Sequence, residues 1–284
     1  MSDQPLVSII CLCYNHERFV KEALLSVFQQ TYKNIEIIVV DDASTDNSGE
    51  IIADLLKAYP DVRFMSLKQN IGNCKAFNRA YALSSGDFVI DLAADDVLLP
   101  KRVEQGVAAL KRLGEEYGLN FTNAEVIDEG GTFIKHHYPI GSEGKSLISI
   151  PSGDVFKELV SRYFICPPTM MYTRALVEYL NGYDEDLSYE DFDLWIRSSR
   201  VFKYVFTDEV LVKRRLVEGS KRAMQFKVRS PHLQTTFKVM KKAKALLRGK
   251  SEEKAFKGRL YYEMRMALRY LDFKLVYKYI KLLK

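Results

Sequence analysis

Apolar runs alternate with segments of helical period over the first hundred residues. Leu6–Tyr14 (LVSIICLCY) is almost unbroken in its apolar character and predicts a strand. Glu17–Gln30 follows with Phe19, Ala23 and Val27 on one side, the spacing of an amphipathic helix. The alternation repeats. Asn34–Asp42 and Val62–Leu67 predict strands; Asp46–Tyr59, stopped by Pro60, and Gly72–Ser85, ended by Gly86, predict helices. Asp87–Ala93 (DFVIDLA) predicts a fourth strand, and a helix starts at Pro100. Strands alternating with helices imply βαβ units and a parallel sheet covered on both faces.

Further along, the signals weaken. Leu119–Ile127 reads as a strand, Gly130-Gly131 as a turn, 136–154 as a loop, and 155–163, 174–181 and 190–200 as helices. Residues 202–213 have strand character, and the segment from Ser230 is helical with a break near Gly249.

Acids stand where the apolar strands stop. Asp41 and Asp42 end the second strand, and Asp95 and Asp96 follow the fourth. An unpaired buried carboxylate costs several kcal/mol, so a core does not want them there. Ligands of parallel sheets sit beyond the carboxyl ends of the strands, which is where these acids lie. A calcium loop starting at Asp42 fails, because its sixth and twelfth positions are Asn47 and Ala53. Asp46 reads as a helix N-cap. Glu190, Asp191 and Asp193 cluster at a helix start, where the macrodipole alone would favour acids.

Charge divides the chain. Of 42 Lys/Arg and 37 Asp/Glu, residues 221–284 hold 19 and four, leaving 23 and 33 for residues 1–220. This is an acidic body with a basic tail, and the acidic body together with the absence of a nucleic-acid-binding motif argues against nucleic acid as a partner, the tail included. The four cysteines are scattered, and Cys11 and Cys13 share a strand face as small buried hydrophobes, consistent with a reducing compartment. No window reaches the roughly 18 apolar residues of a membrane span. With no basic leader before the first strand, a cytoplasmic protein is expected, peripheral at most to the inner face of the membrane.

Three ordered blocks carry a resemblance: VSIICLCYNHERFVKEALLSVFQQTYKNIEIIVVDDASTD, NIGNCKAFNRAYALSSGDFVIDLAADD and GYDEDLSYEDFDLWIR. Together they resemble glycosyltransferase family 2, inverting enzymes of the GT-A fold, over about Leu6 to Ser220. The resemblance implies an α/β, Rossmann-like, mixed and mainly parallel sheet flanked by helices over 1–220, with a basic helical extension over 221–284. It implies a nucleotide-sugar donor, UDP first, and a saccharide or lipid-linked acceptor, as in polysaccharide synthesis. Cys13, Tyr14 and Asn15 would line the nucleotide pocket, and Asp42 would accept a hydrogen bond from the uracil imide. Asp95 would bind a divalent cation, Mn²⁺ or Mg²⁺, while Asp96 supports it or touches the donor sugar. Asp191 would be the catalytic base, with Glu190 in support.

The chain departs from the family pattern. Ala93 replaces the first acid of the D-x-D motif, Val217 stands where many members place a metal-binding histidine, and Leu12-Cys13 replaces the commoner Pro-Thr. Asp91, two residues before Ala93 on the same strand face, would stand in for the missing acid only through water. Two other functions share these features: a degenerate member that binds nucleotide without turnover, and a nucleotidyltransferase. The tail also leaves two readings open, helices packed on the body or a helix lying on an anionic membrane.

Overall fold

The structure, a computed structural model, describes residues 4–217 and 230–284. The expected division at residue 220 and the segment beyond Val217 lie outside the described residues.

Four parallel strands form one half of the sheet. They are β1 (Val7–Cys13), β2 (Ile35–Asp41), β3 (Arg63–Ser66) and β4 (Phe88–Ala93), in the order β3-β2-β1-β4. Every residue of β1 is buried, because helices cover both faces, and this accounts for its unbroken apolar run. Val7, Ile9, Cys11 and Cys13 pack with α1 (Val20–Phe28), α2 (Ser48–Leu56) and α4 (Arg102–Leu113). Ile10 and Leu12 face the other way, toward α3 (Asn73–Tyr81).

The other half of the sheet is antiparallel in part. The three-residue strand β8 (Met171–Thr173) joins β4 to β6 (Tyr117–Ile127), and pairs antiparallel with both. Beyond β6 come β9 (Lys203–Arg215) and the two-residue β5 (Val97–Leu98), while β7 (Phe133–His136) pairs with β6. The stretch read as strands over 202–213 is therefore one strand, β9. Asp95 and Asp96 occupy the turn between β4 and β5.

Short helices α5 (Phe156–Ser161), α6 (Arg174–Leu180) and α7 (Asp191–Ser198) lie on the α3 side. The basic segment forms α8 (Pro231–Leu246), α9 (Lys250–Arg269) and α10 (Phe273–Leu283). The expected break lies at Gly249; a second, unexpected one lies at Leu271-Asp272. Val239, Met240, Phe256, Leu260, Leu275 and Tyr279 are buried in the same cluster as Phe192 and Trp195. One side of the tail therefore completes the body's core. Among the described residues, no helix is long and apolar enough to cross a membrane.

Candidate active site

In-register pairing brings the ends of β1, β2 and β4 to one edge: Cys13 pairs with Asp41, and Leu12 with both Val40 and Ala93. The turn after β1 passes through Asn15 and the turn after β2 through Ala43, both with φ of 58°. Left-handed backbone is costly for a residue with a Cβ, and such outliers concentrate where ligands bind. Here the two turns brace each other. Asn15 Oδ1 accepts from Thr45 N at 2.7 Å, the Asn15 N–H donates to Ser44 Oγ at 2.9 Å, and the His16 N–H donates to Ser48 Oγ at 2.9 Å. The expected cap at Asp46 falls one residue early, since Asn47 precedes α2. Asp46 Oδ1 accepts from Ser48 N, and Oδ2 ties in Glu17 N.

Within this edge, Tyr14 is exposed and Cys13 is not. The Cys13 side chain is buried among α1-side residues, and burial pushes its thiol up to about 11. What Cys13 offers the edge is backbone: its carbonyl accepts from Asp42 N. Asp42 is itself nearly buried. Its Oδ1 accepts from Ile71 N at 2.8 Å and its Oδ2 from Gly72 N at 2.9 Å. Gly72 reaches that position with φ of 86°, a conformation open to glycine. Each carboxylate oxygen keeps a second lone pair for another donor.

Asp95 and Asp96 differ despite their adjacency. Asp96 is 6% exposed, and its Oδ1 accepts from Arg215 N at 2.8 Å. Burial first, and the Asp95 carboxylate second, push the Asp96 carboxyl well above its ordinary range, against Arg214 and Arg215. Asp95 stays partly open, with its Oδ2 3.9 Å from His16 Nε2. Arg215 secures the turn: Nε donates to the Asp95 carbonyl at 3.0 Å and a terminal nitrogen to Glu22 at 2.6 Å. Asp96 is thus turned inward, while Asp95 stays open to the edge. Asp91 accepts from the Tyr183 hydroxyl at 3.0 Å, so it is engaged with the segment leading to α7.

That segment is tightly held. Gly182, with φ of 77°, lies so close to Asn78 that a Cβ would come within 2.5 Å of its Oδ1. Asn78 in turn accepts from Tyr183 N and donates to the Tyr183 carbonyl. Ser188 N donates to Thr235 Oγ1 at 3.0 Å, and the Tyr189 and Thr236 hydroxyls lie 2.7 Å apart, so α8 holds the approach to α7. Arg259, buried in α9, stacks its guanidinium 5.1 Å from the Phe192 ring centre. Glu190 receives a weak thiol contact from Cys74, and Asp191 opens α7 partly exposed. Asp193 has a different task. It is buried, bonded to Arg197 Nε and Lys242 Nζ at 2.6 Å each, and joins α7 to α8.

Burial pushes the Cys166 thiol up to about 12, with Arg214 opposing and Asp96 and Asp191 adding to the rise. Burial also raises Tyr172, and Asp91, Asp191 and Glu190 contribute. Asp96, Asp191 and Arg214 therefore all bear on the Cys166 thiol. Val217 is partly buried and brings no ligating atom. Among the described residues, no three His, Cys, Asp or Glu side chains gather as a metal cage. Asp95 alone suits the other kind of site, in which one or two carboxylates hold a cation that substrate phosphates complete.

His16, Arg214, Arg215, Thr235 and Thr236 were not singled out from the sequence. His16 carried a signal, being a polar residue just past the first strand. The others are placed by pairing across distant parts of the chain.

The sequence profile described as Glycosyl transferase family 2 matches residues 8–180. The chain belongs to glycosyltransferase family 2. Family relatives include an uncharacterized glycosyltransferase of Rickettsia bellii, 32% identical over 77% of this chain and 31% of its own length. Another, from Methanocaldococcus jannaschii, is 29% identical over 75% of this chain and 72% of its own. The chain spans 31% of the Rickettsia bellii relative's length and 64% of those from Rickettsia typhi and Rickettsia prowazekii. S. aureus TarS 1–349 in complex with UDP-GlcNAc has a TM-score of 0.65 at 18% identity, over 88% of this chain and 70% of that one. The mannosyltransferase PcManGT of Pyrobaculum calidifontis, in complex with GDP-Man and Mn²⁺, has a TM-score of 0.63 at 16% identity, over 94% of this chain and 76% of that one. These likenesses show the GT-A fold.

Proposed function

We propose that this chain is an inverting glycosyltransferase. It would move a hexosyl or N-acetylhexosaminyl group from a nucleotide diphosphate, UDP first, to a hydroxyl of a saccharide or lipid-linked acceptor of the polysaccharide type. The observation that carries the reading is the division of the acids. Asp95 follows β4 at the strand edge that also bears the turns of Tyr14, Asn15 and Asp42, and Asp191 belongs to a different element, the first turn of α7. A double displacement would want two carboxyls flanking one sugar carbon. Separate acids suit one in-line displacement.

In this reading Tyr14 stacks on the base, Asn15 shapes the turn beside it, and Asp42 accepts from the base imide. Asp95 would hold Mn²⁺ or Mg²⁺ together with the diphosphate, and that cation would neutralise charge on the leaving group. Asp96 and Arg215 fix the turn that presents Asp95. Asp191 would accept the acceptor hydroxyl's proton, with Glu190 beside it. The four cysteines are buried and none forms a disulfide, which fits a reducing, cytoplasmic setting.

The missing acid at Ala93 and the missing histidine at Val217 favour a second reading, a nucleotide-binding protein without turnover. A screen of nucleotide sugars with Mn²⁺ or Mg²⁺, reading released nucleotide, tests both. Release of UDP or another nucleoside diphosphate that depends on Asp95 supports transfer. Binding without release with every donor and acceptor tried supports the second reading. Pyrophosphate as product would mark a nucleotidyltransferase instead.

A further inference from the structure

The outer side of the last two helices carries features that neither the core nor the acid-lined edge uses. Phe273, Tyr277 and Ile280 recur along α10 at helical spacing and are 65%, 58% and 43% exposed. On the same helix Leu275 and Tyr279 face inward and are buried. The helix is therefore apolar on two sides, and the body covers one. The α9–α10 corner continues the outer stripe. Leu271 is 67% exposed with φ of 55°, where helix ends favour Gly or Asn, and Leu268 precedes it at 45%. A strained, exposed leucine beside an exposed phenylalanine is poor design for water alone.

Charge identifies what would cover this stripe. Residues 254–284 contain nine Lys/Arg and two acids, Glu263 and Asp272. Both acids are buried. Glu263 accepts from Arg259 Nε at 2.6 Å, and Asp272 caps α10 through Leu275 N at 2.9 Å. Every exposed formal charge on this surface is thus positive, including Arg269 and Lys274 on either side of the corner. Arg265 and Arg269, one turn apart, line a shallow depression with Tyr262 and Tyr270, a seat of the right chemistry for a phosphate head group.

We propose that the α9–α10 corner docks on an anionic membrane. The leucine and phenylalanine side chains of the corner would enter the head-group boundary. The Lys and Arg stems would lie along it, with their charges at the phosphates. Nucleic acid would be attracted by the charge but has no use for the exposed Leu, Phe and Ile. A second copy would have to bring like charge against like. The surface uses none of the residues assigned to donor or base, so docking and turnover stand or fall separately.

The test is sedimentation of the full chain with phosphatidylcholine vesicles, with and without phosphatidylglycerol. We expect binding only when the anionic lipid is present, weakening as added salt shortens the screening length from about 8 Å to about 3 Å. Arg265→Gln with Arg269→Gln should weaken binding about 25-fold, each charge being worth about five-fold at such a surface. Leu271→Asp with Phe273→Asp should weaken it by at least about ten-fold through lost apolar insertion. Circular dichroism and nucleotide release in solution, expected to be unchanged, show that these variants are folded. The proposal is overturned by three results: no binding of the native chain to anionic vesicles, binding that the Leu271/Phe273 variant retains in full, or an apolar variant that breaks a dimer while leaving vesicle binding intact.

Discussion

The strand edge at Cys13, Asp41 and Ala93 and the outer side of α9–α10 both concentrate charge, and they treat it in opposite ways. At the edge, the charges are acidic and pinned. Asp42 is held by two backbone amides, and Asp96 by a third. On α9–α10 the exposed charges are basic and on long stems, and the acids are buried. A pinned carboxylate sacrifices freedom for position, which suits a ligand of fixed shape. Flexible cations keep their freedom and suit a partner whose charges move. On the readings proposed above, the same chain would separate a site that must be accurate from a surface that need only be sticky.

Removing α8–α10 gives the largest test of how separate the two regions are. A chain ending at Ser230 loses Val239, Met240, Phe256 and Leu260 from the cluster that backs Phe192 and Trp195. We expect loss of cooperative unfolding and of transfer together, read by calorimetry and product formation. Retention of both would make the tail a dispensable attachment. Next in size is Asp191→Asn, which keeps shape and removes basicity. Transfer should fall about 10²–10⁴-fold, the worth of a general base, while calorimetric UDP affinity hardly changes. Near-native transfer would pass the role to Glu190.

Asp193, two residues on, should behave in the opposite manner. Asp193→Ala should cost about 2–4 kcal/mol in denaturant unfolding, somewhat below a fully buried pair because Lys242 and Arg197 reach solvent. Transfer per folded molecule should persist; its loss would place Asp193 in the chemistry. Asp42→Ala should weaken uridine binding by about 1.5–3 kcal/mol, the worth of a hydrogen bond to a charged group, measured by calorimetry. Equal affinity of the native chain for UDP and CDP would remove the base-reading role.

The smallest effect concerns pH. Burial tends to raise Asp184, yet hydrogen bonds from Lys242 and Asp186 N hold it below its ordinary value. The unfolded chain then binds the proton more readily, so stability rises with pH through that interval. The contribution is complete above the ordinary carboxylate range and is lost as pH falls through the lowered value. Thermal melting of the native chain and Asp184→Asn should converge on the acid side; a constant gap would show that Asp184 contributes nothing through protonation.

The parallel half of the sheet was legible because burial on both faces makes long apolar runs, as in β1, and because acids interrupt those runs at one end. The strands β5 and β8 were not. At two and three residues they have no period of their own and exist through pairing with β9, β4 and β6. The acids were visible, but not which of each pair faces outward. Asp96 turns inward because Arg215, 119 residues later, offers it a backbone N–H. Asp193 likewise read as a third acid of the cluster until Lys242 in α8 bonded it. The tail's two readings were both open from its composition; Val239, Met240 and Tyr279 show the packed one, and the membrane reading is the docking proposal above.

The bonds from Thr235 and Thr236 to Ser188 and Tyr189 also impose an order of assembly. During synthesis, the strand edge and the start of α7 leave the ribosome well before α8–α10 exist. At about 5–20 residues per second the interval lasts seconds, long enough for the exposed back of α7 to need shielding. A nascent chain at that stage would have its strand-edge turns in place and the approach to α7, with Asp191, unanchored. Translation itself would then act as a safety catch, with competence arriving only when the final helices close over Phe192.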